Sequence, residues 1–225
     1  RDAGDPAELA AAYEAQGADE VVFLDVSATP EGRSTQLEYV RRVRRTLSIP
    51  LTVGGGVRRA EDGGALLEAG ADKVGVNTAA VRDPALLEEM AARFGSQCTV
   101  LALDAARRPD GGFEVVVLSG RERTGRDAIA WAREATRRGA GEILLTSWDR
   151  DGTRSGYDLE LMKAVTEAVS VPVIASGGAA TPDHMLEALR AGASAVLAAS
   201  IFHYGEYTAE TLKAFLAAGG VEVRT

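Results

Sequence analysis

A chain of 225 residues, 46% hydrophobic and 26% charged, can bury a large core, and α/β barrels of about 200–250 residues commonly fold as one domain. Its formal net charge of −8 argues against a nucleic-acid or anionic-membrane partner, so an anionic ligand must be held locally by backbone N–H groups and hydroxyls. The single cysteine, Cys98, excludes an internal disulfide, and with no signal peptide and no apolar run of about 20 residues a reducing cytoplasm is the expected compartment.

In chain order, helix and strand alternate. Asp5-Pro6 with Glu8 reads as an N-cap, a proline at the first helical position and a capping-box carboxylate, opening a helix that stops at Gly17. Glu20–Asp25 is the first strand. A polar loop, Val26–Ser34, leads to a helix near Thr35–Leu47 with Leu37, Val40, Val43 and Leu47 on one face. Leu51–Val53 is a strand, Ala60–Ala69 a weaker helix, Lys73–Val76 a strand, and Asp83-Pro84 caps a helix ending near Phe94. Thr99–Leu103 is a buried strand ending on Asp104, after which a turn at Arg107–Gly112 and a β run at Glu114–Leu118 predict an inserted hairpin. Helix resumes over Asp127–Arg138, followed by strand Ile143–Thr146, a long loop Ser147–Tyr157 and helix Asp158–Ala168. Strand Val173–Ala175, a Thr181-Pro182 helix to Ala191, strand Ala195–Ala198 and a helix near Thr208–Ala218 complete the series.

This series contains a repeat. Ile49-Pro-Leu-Thr-Val-Gly-Gly-Gly-Val57 returns as Val171-Pro-Val-Ile-Ala-Ser-Gly-Gly-Ala179, with Pro50 and Pro172 standing 122 residues apart. Gly17–Leu24 returns as Gly139–Thr146 and Gly70–Asn77 as Gly192–Ala199 at the same offset. A period this long marks half-domains, since solenoid repeats run at about 20–50 residues. Two similar halves of alternating strand and helix favour a closed (β/α)8 TIM barrel over an open doubly wound sheet, as a single domain over residues 1–225. Only seven barrel strands are visible. The counterpart of Cys98–Arg126 would fall before Arg1, so the first β-strand and a twin of Asp104 are expected to be absent and the domain N-terminally incomplete.

In such barrels the C-terminal strand ends and the loops after them carry the chemistry. Asp104 stands there as a candidate general acid or base, against the alternative of a turn-capping carboxylate; Asp25 also ends its strand. Gly-rich turns beside helix N-termini offer bare N–H groups to phosphate, although glycines also serve simple tight turns. The repeat supplies two such cradles, Gly56 with Asn77 and Thr78, and Gly178 with Ala199 and Ser200, predicting a ligand phosphorylated at both ends. No Gly-Lys-Ser/Thr follows either cradle, which disfavours a nucleoside triphosphate. His184 and His203 lack ligand-spaced partners, so neither a metal nor another cofactor is expected. At the opposite mouth, Glu20, Lys73 and Glu142 gather around the axis, where a stabilising charge cluster is the ordinary meaning.

The run Leu144-Leu-Thr-Ser-Trp-Asp-Arg-Asp-Gly-Thr-Arg-Ser-Gly-Tyr-Asp158, with Val173–Ala179, Ala198-Ala-Ser-Ile-Phe-His203, Thr52–Val57 and Val76–Ala80, resembles the cyclase subunit of imidazole glycerol phosphate synthase across essentially the whole chain. That resemblance implies a barrel that takes ammonia from a glutaminase partner in a heterodimer. The ammonia cleaves and cyclises a bisphosphorylated aminoimidazole carboxamide ribonucleotide in histidine biosynthesis, giving imidazole glycerol phosphate and an aminoimidazole carboxamide ribonucleotide. It further implies that Asp104 is one of two catalytic aspartates and that Asp151 and Gly152 add to the second phosphate cradle. Glu20, Lys73 and Glu142 then become an ammonia gate. The family's other aspartate, on strand one, and the lysine of its mobile first loop have no position in this sequence, which puts activity in question. The related aminoimidazole carboxamide isomerase, which shares the Arg-Asp-Gly-Thr core but needs no glutaminase, and an inactive barrel fragment are the alternatives.

Overall fold

The computed structural model describes residues 4–25, 31 and 35–224. Among these, seven strands form one parallel sheet: β1 (Val21–Leu24), β2 (Leu51–Gly54), β3 (Lys73–Val76), β4 (Thr99–Arg107), β7 (Glu142–Ser147), β8 (Val173–Ser176) and β9 (Ala195–Val196). Their order in the sheet is β1-β2-β3-β4-β7-β8-β9, each neighbouring pair parallel. The helices are α1 (Pro6–Ala15), α2 (Leu37–Thr46), α3 (Ala60–Glu68), α4 (Thr78–Arg82), α5 (Ala85–Phe94), α6 (Ala128–Arg137), α7 (Leu159–Thr166), α8 (Pro182–Arg190), α9 (Ser200–His203) and α10 (Ala209–Ala218).

Local chemistry accounts for the helix starts. Asp5 accepts from the N–H groups of Ala7 and Glu8, and Asp127, the residue 122 positions on, accepts from Ala130. Glu8 stands in the first turn of α1, and only the Asp5 half of the expected capping box is formed, the Asp5 carboxylate accepting from Ala7 and Glu8. On α6, Ala128, Trp131, Ala132 and Ala135 recur at helical spacing and are fully buried against the sheet.

The sheet is curled. Val100, Leu144 and Ile174, on β4, β7 and β8, form a small core of their own against which Val22 of β1 packs. β4 is three strands from β1, about 14 Å across a flat sheet, too far for a valine to reach. These side chains therefore face an interior enclosed by the strands, and the larger core lies between sheet and helices. The helices close around the outside where β1 and β9 end the strand order. The Tyr13 hydroxyl bonds His203 Nδ1, the Glu210 N–H donates to the Gln16 carbonyl at 2.8 Å, and Lys213 Nζ reaches Asp19 at 2.7 Å. His203 is thus an exposed partner of a tyrosine.

The repeat is structural as well as sequential. β2 over 51–54 matches β8 over 173–176, α1 over 6–15 matches α6 over 128–137, and α3 over 60–68 matches α8 over 182–190 at the 122 offset. Four elements differ from expectation. β4 runs on to Arg107 instead of ending at Asp104, because β5 (Phe113–Val117) pairs antiparallel with its extension. β6 (Glu122–Asp127) pairs with β5, so the insertion is a three-stranded meander with β4; its charged, exposed sequence carries no strand signal. The short helices α4 and α9, one turn or so each, follow β3 and β9 at positions that read only as loop. Apart from Glu31, the polar loop expected over Val26–Ser34 lies outside the described residues.

Candidate functional site

Side chains alternate along a strand, so the inner face can be counted upward from the small core. Leu144 is inside, and so are Glu142 below it and Thr146 above it; Val100 leads in the same way to Asp104. Register confirms the level, with Asp104 opposite Thr146. Gly56 and Asn77 follow the neighbouring strands β2 and β3 just beyond the Gly54–Gly75 pair, and Gly178 and Ala199 follow β8 and β9 beyond the Ala175–Val196 pair.

Asp104 is the most perturbed carboxyl at this upper end. Burial drives its pKa up to about 6, opposed by hydrogen bonds from Asn77 and Thr146 and reinforced by the charge of Asp151. A group poised near neutrality can both give and take a proton. Asn77 Nδ2 donates to Asp104 Oδ2 at 2.9 Å and to the Val116 carbonyl at 3.4 Å, while its Oδ1 is buried without a partner. The amide of Asn77 is therefore committed to the carboxylate. Thr78 Oγ1 accepts from the Leu118 N–H at 3.0 Å, tying the inserted hairpin to the first cradle.

The second cradle is built from the long loop after β7. Gly177 and Gly178 have φ of 89° and 97°, a region open to glycine, and the Gly178 carbonyl accepts from the Gly156 N–H at 2.9 Å. A side chain on Gly178 would run into the Gly156 carbonyl and the Arg150 Cβ. Gly178 is thus required by the fold whether or not phosphate binds. Asp151 sits on the Ser147 carbonyl with its Cβ facing Gly177, Gly152 has open space at its α-carbon, and Ser200 opens α9 as Thr78 opens α4. The buried Tyr157 donates to the Leu197 carbonyl at 2.8 Å and pins the loop's end to the sheet. His184 is a capping neighbour, its Nδ1 accepting from the Ala180 N–H and its ring lying over Gly156.

At the other end of the same interior, Lys73 Nζ lies 2.9 Å from Glu20 Oε2 and 2.9 Å from Glu142 Oε2, with side chains 21%, 23% and 15% exposed. Burial pulls the Lys73 pKa down, but the bonds to Glu142 and Glu20 outweigh it and the net shift is upward. Thr52 donates to Glu20, and Glu142 Oε1 is buried without a partner. The three expected residues do meet, and Thr52, which no spacing rule singled out, joins them because it faces Lys73 in register.

A curled parallel sheet with a perturbed carboxyl at its C-terminal strand ends defines an α/β enzyme that works at the mouth of its strands. The comparisons narrow the class. Residues 1–208 match the family model described as histidine biosynthesis protein. The chain is 58% identical over 224 residues, 99% of its own length and 88% of the relative's, to the imidazole glycerol phosphate synthase subunit HisF of Acidobacterium capsulatum. It is 56% identical over 231 residues, covering 100% of the chain and 90% of the relative, to the subunit of the same name from Corynebacterium diphtheriae. The chain belongs to this family, the cyclase subunits of imidazole glycerol phosphate synthase.

Proposed function

We propose that this chain, as a cyclase subunit of histidine biosynthesis, receives ammonia at the Lys73 end of its interior and uses it at the Asp104 end. The observation that carries this reading is the placement of both groups on one inner face, Lys73 between two carboxylates below and Asp104 above. Ammonia comes from a docked glutaminase. The ligand at the mouth is the bisphosphorylated aminoimidazole carboxamide ribonucleotide, with Gly56, Asn77 and Thr78 at one phosphate and Gly178, Ala199, Ser200, Asp151 and Gly152 at the other. Asp104 shuttles a proton during cleavage and ring closure, and the side-chain amide of Asn77 holds that carboxylate. The isomerase alternative lacks support from the relatives, both of which are named as synthase subunits.

The barrel in this reading has eight strands, the eighth lying in the seam between β1 and β9 and carrying the second aspartate. The 122-residue offset makes such a strand the expected twin of β4, and helices that meet from either side of β1 and β9 are in keeping with it.

The test uses the chain together with its glutaminase. Lys73→Met is expected to spare turnover with ammonium salts supplied from solution, because that ammonia reaches the site from the mouth. It is expected to alter turnover coupled to glutamine hydrolysis. A ratio of the two rates equal to that of the parent would return Lys73, Glu20 and Glu142 to a structural ion cluster.

A further inference from the structure

The two tryptophans have opposite environments. Trp131 is fully buried under α6, whereas Trp148 is 40% exposed. A large apolar ring left in water at a functional mouth calls for an explanation, since burial of such a ring is worth more than that of any other side chain.

Its position follows from β7. Leu144 and Thr146 face the interior, and the Trp148 N–H donates to the Ala105 carbonyl at 2.8 Å, which continues the β4–β7 ladder one residue beyond the strand. Trp148 is therefore the next inward residue above Thr146 and the Asp104 carboxylate. The indole is braced from the other side by the tip of the β5–β6 hairpin. Leu118, Ser119 and Gly120 all take positive φ, 54°, 54° and 78°, and any side chain on Gly120 would run into the indole ring. The same tip is bonded to Thr78 through the Leu118 N–H. The hairpin thus reaches from the first cradle to a ring that stands in the loop of the second.

We propose that Trp148 is the aromatic platform on which the heteroaromatic ring of the substrate rests between the two phosphates. This rests on the ribonucleotide reading given above. A flat indole held by glycine on one face offers its remaining surface to a flat ring, and offset stacking adds about 0.5–1.5 kcal/mol beyond area burial. Phosphate alone has no ring to place there.

Two probes separate the platform from the reading beneath it: the aminoimidazole carboxamide ribonucleotide product and inorganic phosphate, each titrated into the chain by calorimetry. Trp148→Leu keeps apolar bulk against Gly120 but has no π face; it is expected to weaken the ribonucleotide about tenfold and leave the phosphate Kd within about twofold. Trp148→Phe is expected to recover most of the loss. Equal ribonucleotide affinity in Trp148→Leu and the parent would overturn the platform. So would an equal loss for both probes, which would make the indole a prop for the hairpin only. Failure of the parent to bind the ribonucleotide while it binds phosphate would overturn the substrate reading and the platform with it.

Discussion

At Asp104 the proposed chemistry would come at a cost in stability. Its carboxyl, with a pKa of about 6 in the folded chain against an ordinary value near 3.8, holds its proton more tightly folded than unfolded. The stability it contributes is complete below about pH 4, falls as pH rises, and is gone above about pH 6, because the unfolded chain ionises first. At pH 8 the ionised, desolvated carboxylate costs on the order of 3 kcal/mol, from 1.36 kcal/mol per pKa unit. Asp104→Asn is therefore expected to raise stability by up to about 3 kcal/mol at pH 8 and by little at pH 4, while lowering turnover by about 10²–10⁴. Urea unfolding at the two pH values checks the first expectation; a gain independent of pH would remove Asp104 from the perturbed set. Turnover in which Asp104 acts as a base should in turn rise as pH passes through about 6.

At the scale of elements, the glycines divide into those a ligand would need and those the chain needs. Gly178→Val is expected to unfold the second cradle's support rather than only its binding, because a φ of 97° and the Gly156 carbonyl both oppose a side chain. Strain of that kind costs about 1–3 kcal/mol before the clash is counted, so the thermal midpoint should fall in phosphate-free buffer; an unchanged midpoint would show that the loop rearranges. Ser200→Asp is the cleaner probe of the cradle, expected to abolish protection by phosphate while leaving the free chain's midpoint nearly unaltered. The strands and long helices were legible because period, caps and the 122-residue echo agree on them. β6 was not, because Glu122–Asp127 is charged and exposed and pairs only once β5 is in place. The place of Asn77 beside Thr78 marks it only as a phosphate ligand, because its tie to Asp104 exists only after β3 and β4 align. Nothing in the loop sequence around Trp148 marks it as inward-facing, for a similar reason.

For the molecule as a whole, the line where β1 and β9 end the strand order of the described residues is the seam of the sheet. β1 gives the Val21 and Asp25 N–H groups to β2, so Val22 and Leu24 turn theirs toward the seam. Their amides are expected to exchange with solvent orders of magnitude faster than those of Leu101 and Leu103 in the middle of the sheet. Equal protection would mean that the seam is already paired. Across that line the outer helices meet.

The β5–β6 hairpin has a consequence of another kind. Two cradles related by a repeat could grip a molecule phosphorylated at both ends in either sense, and in one of them the bond to be cut would point away from Asp104. Its tip is bonded to Thr78 of the first cradle through the Leu118 N–H and lies against the Trp148 ring, in the loop of the second, through Gly120. The two contacts differ, a hydroxyl at one end and an indole at the other, so a molecule laid across the tip would meet a different surface in each sense. A chain in which residues 109–121 are replaced by a short turn should admit the reversed molecule as a silent competitor. Steady-state kinetics would then show kcat and KM falling together, with their ratio preserved.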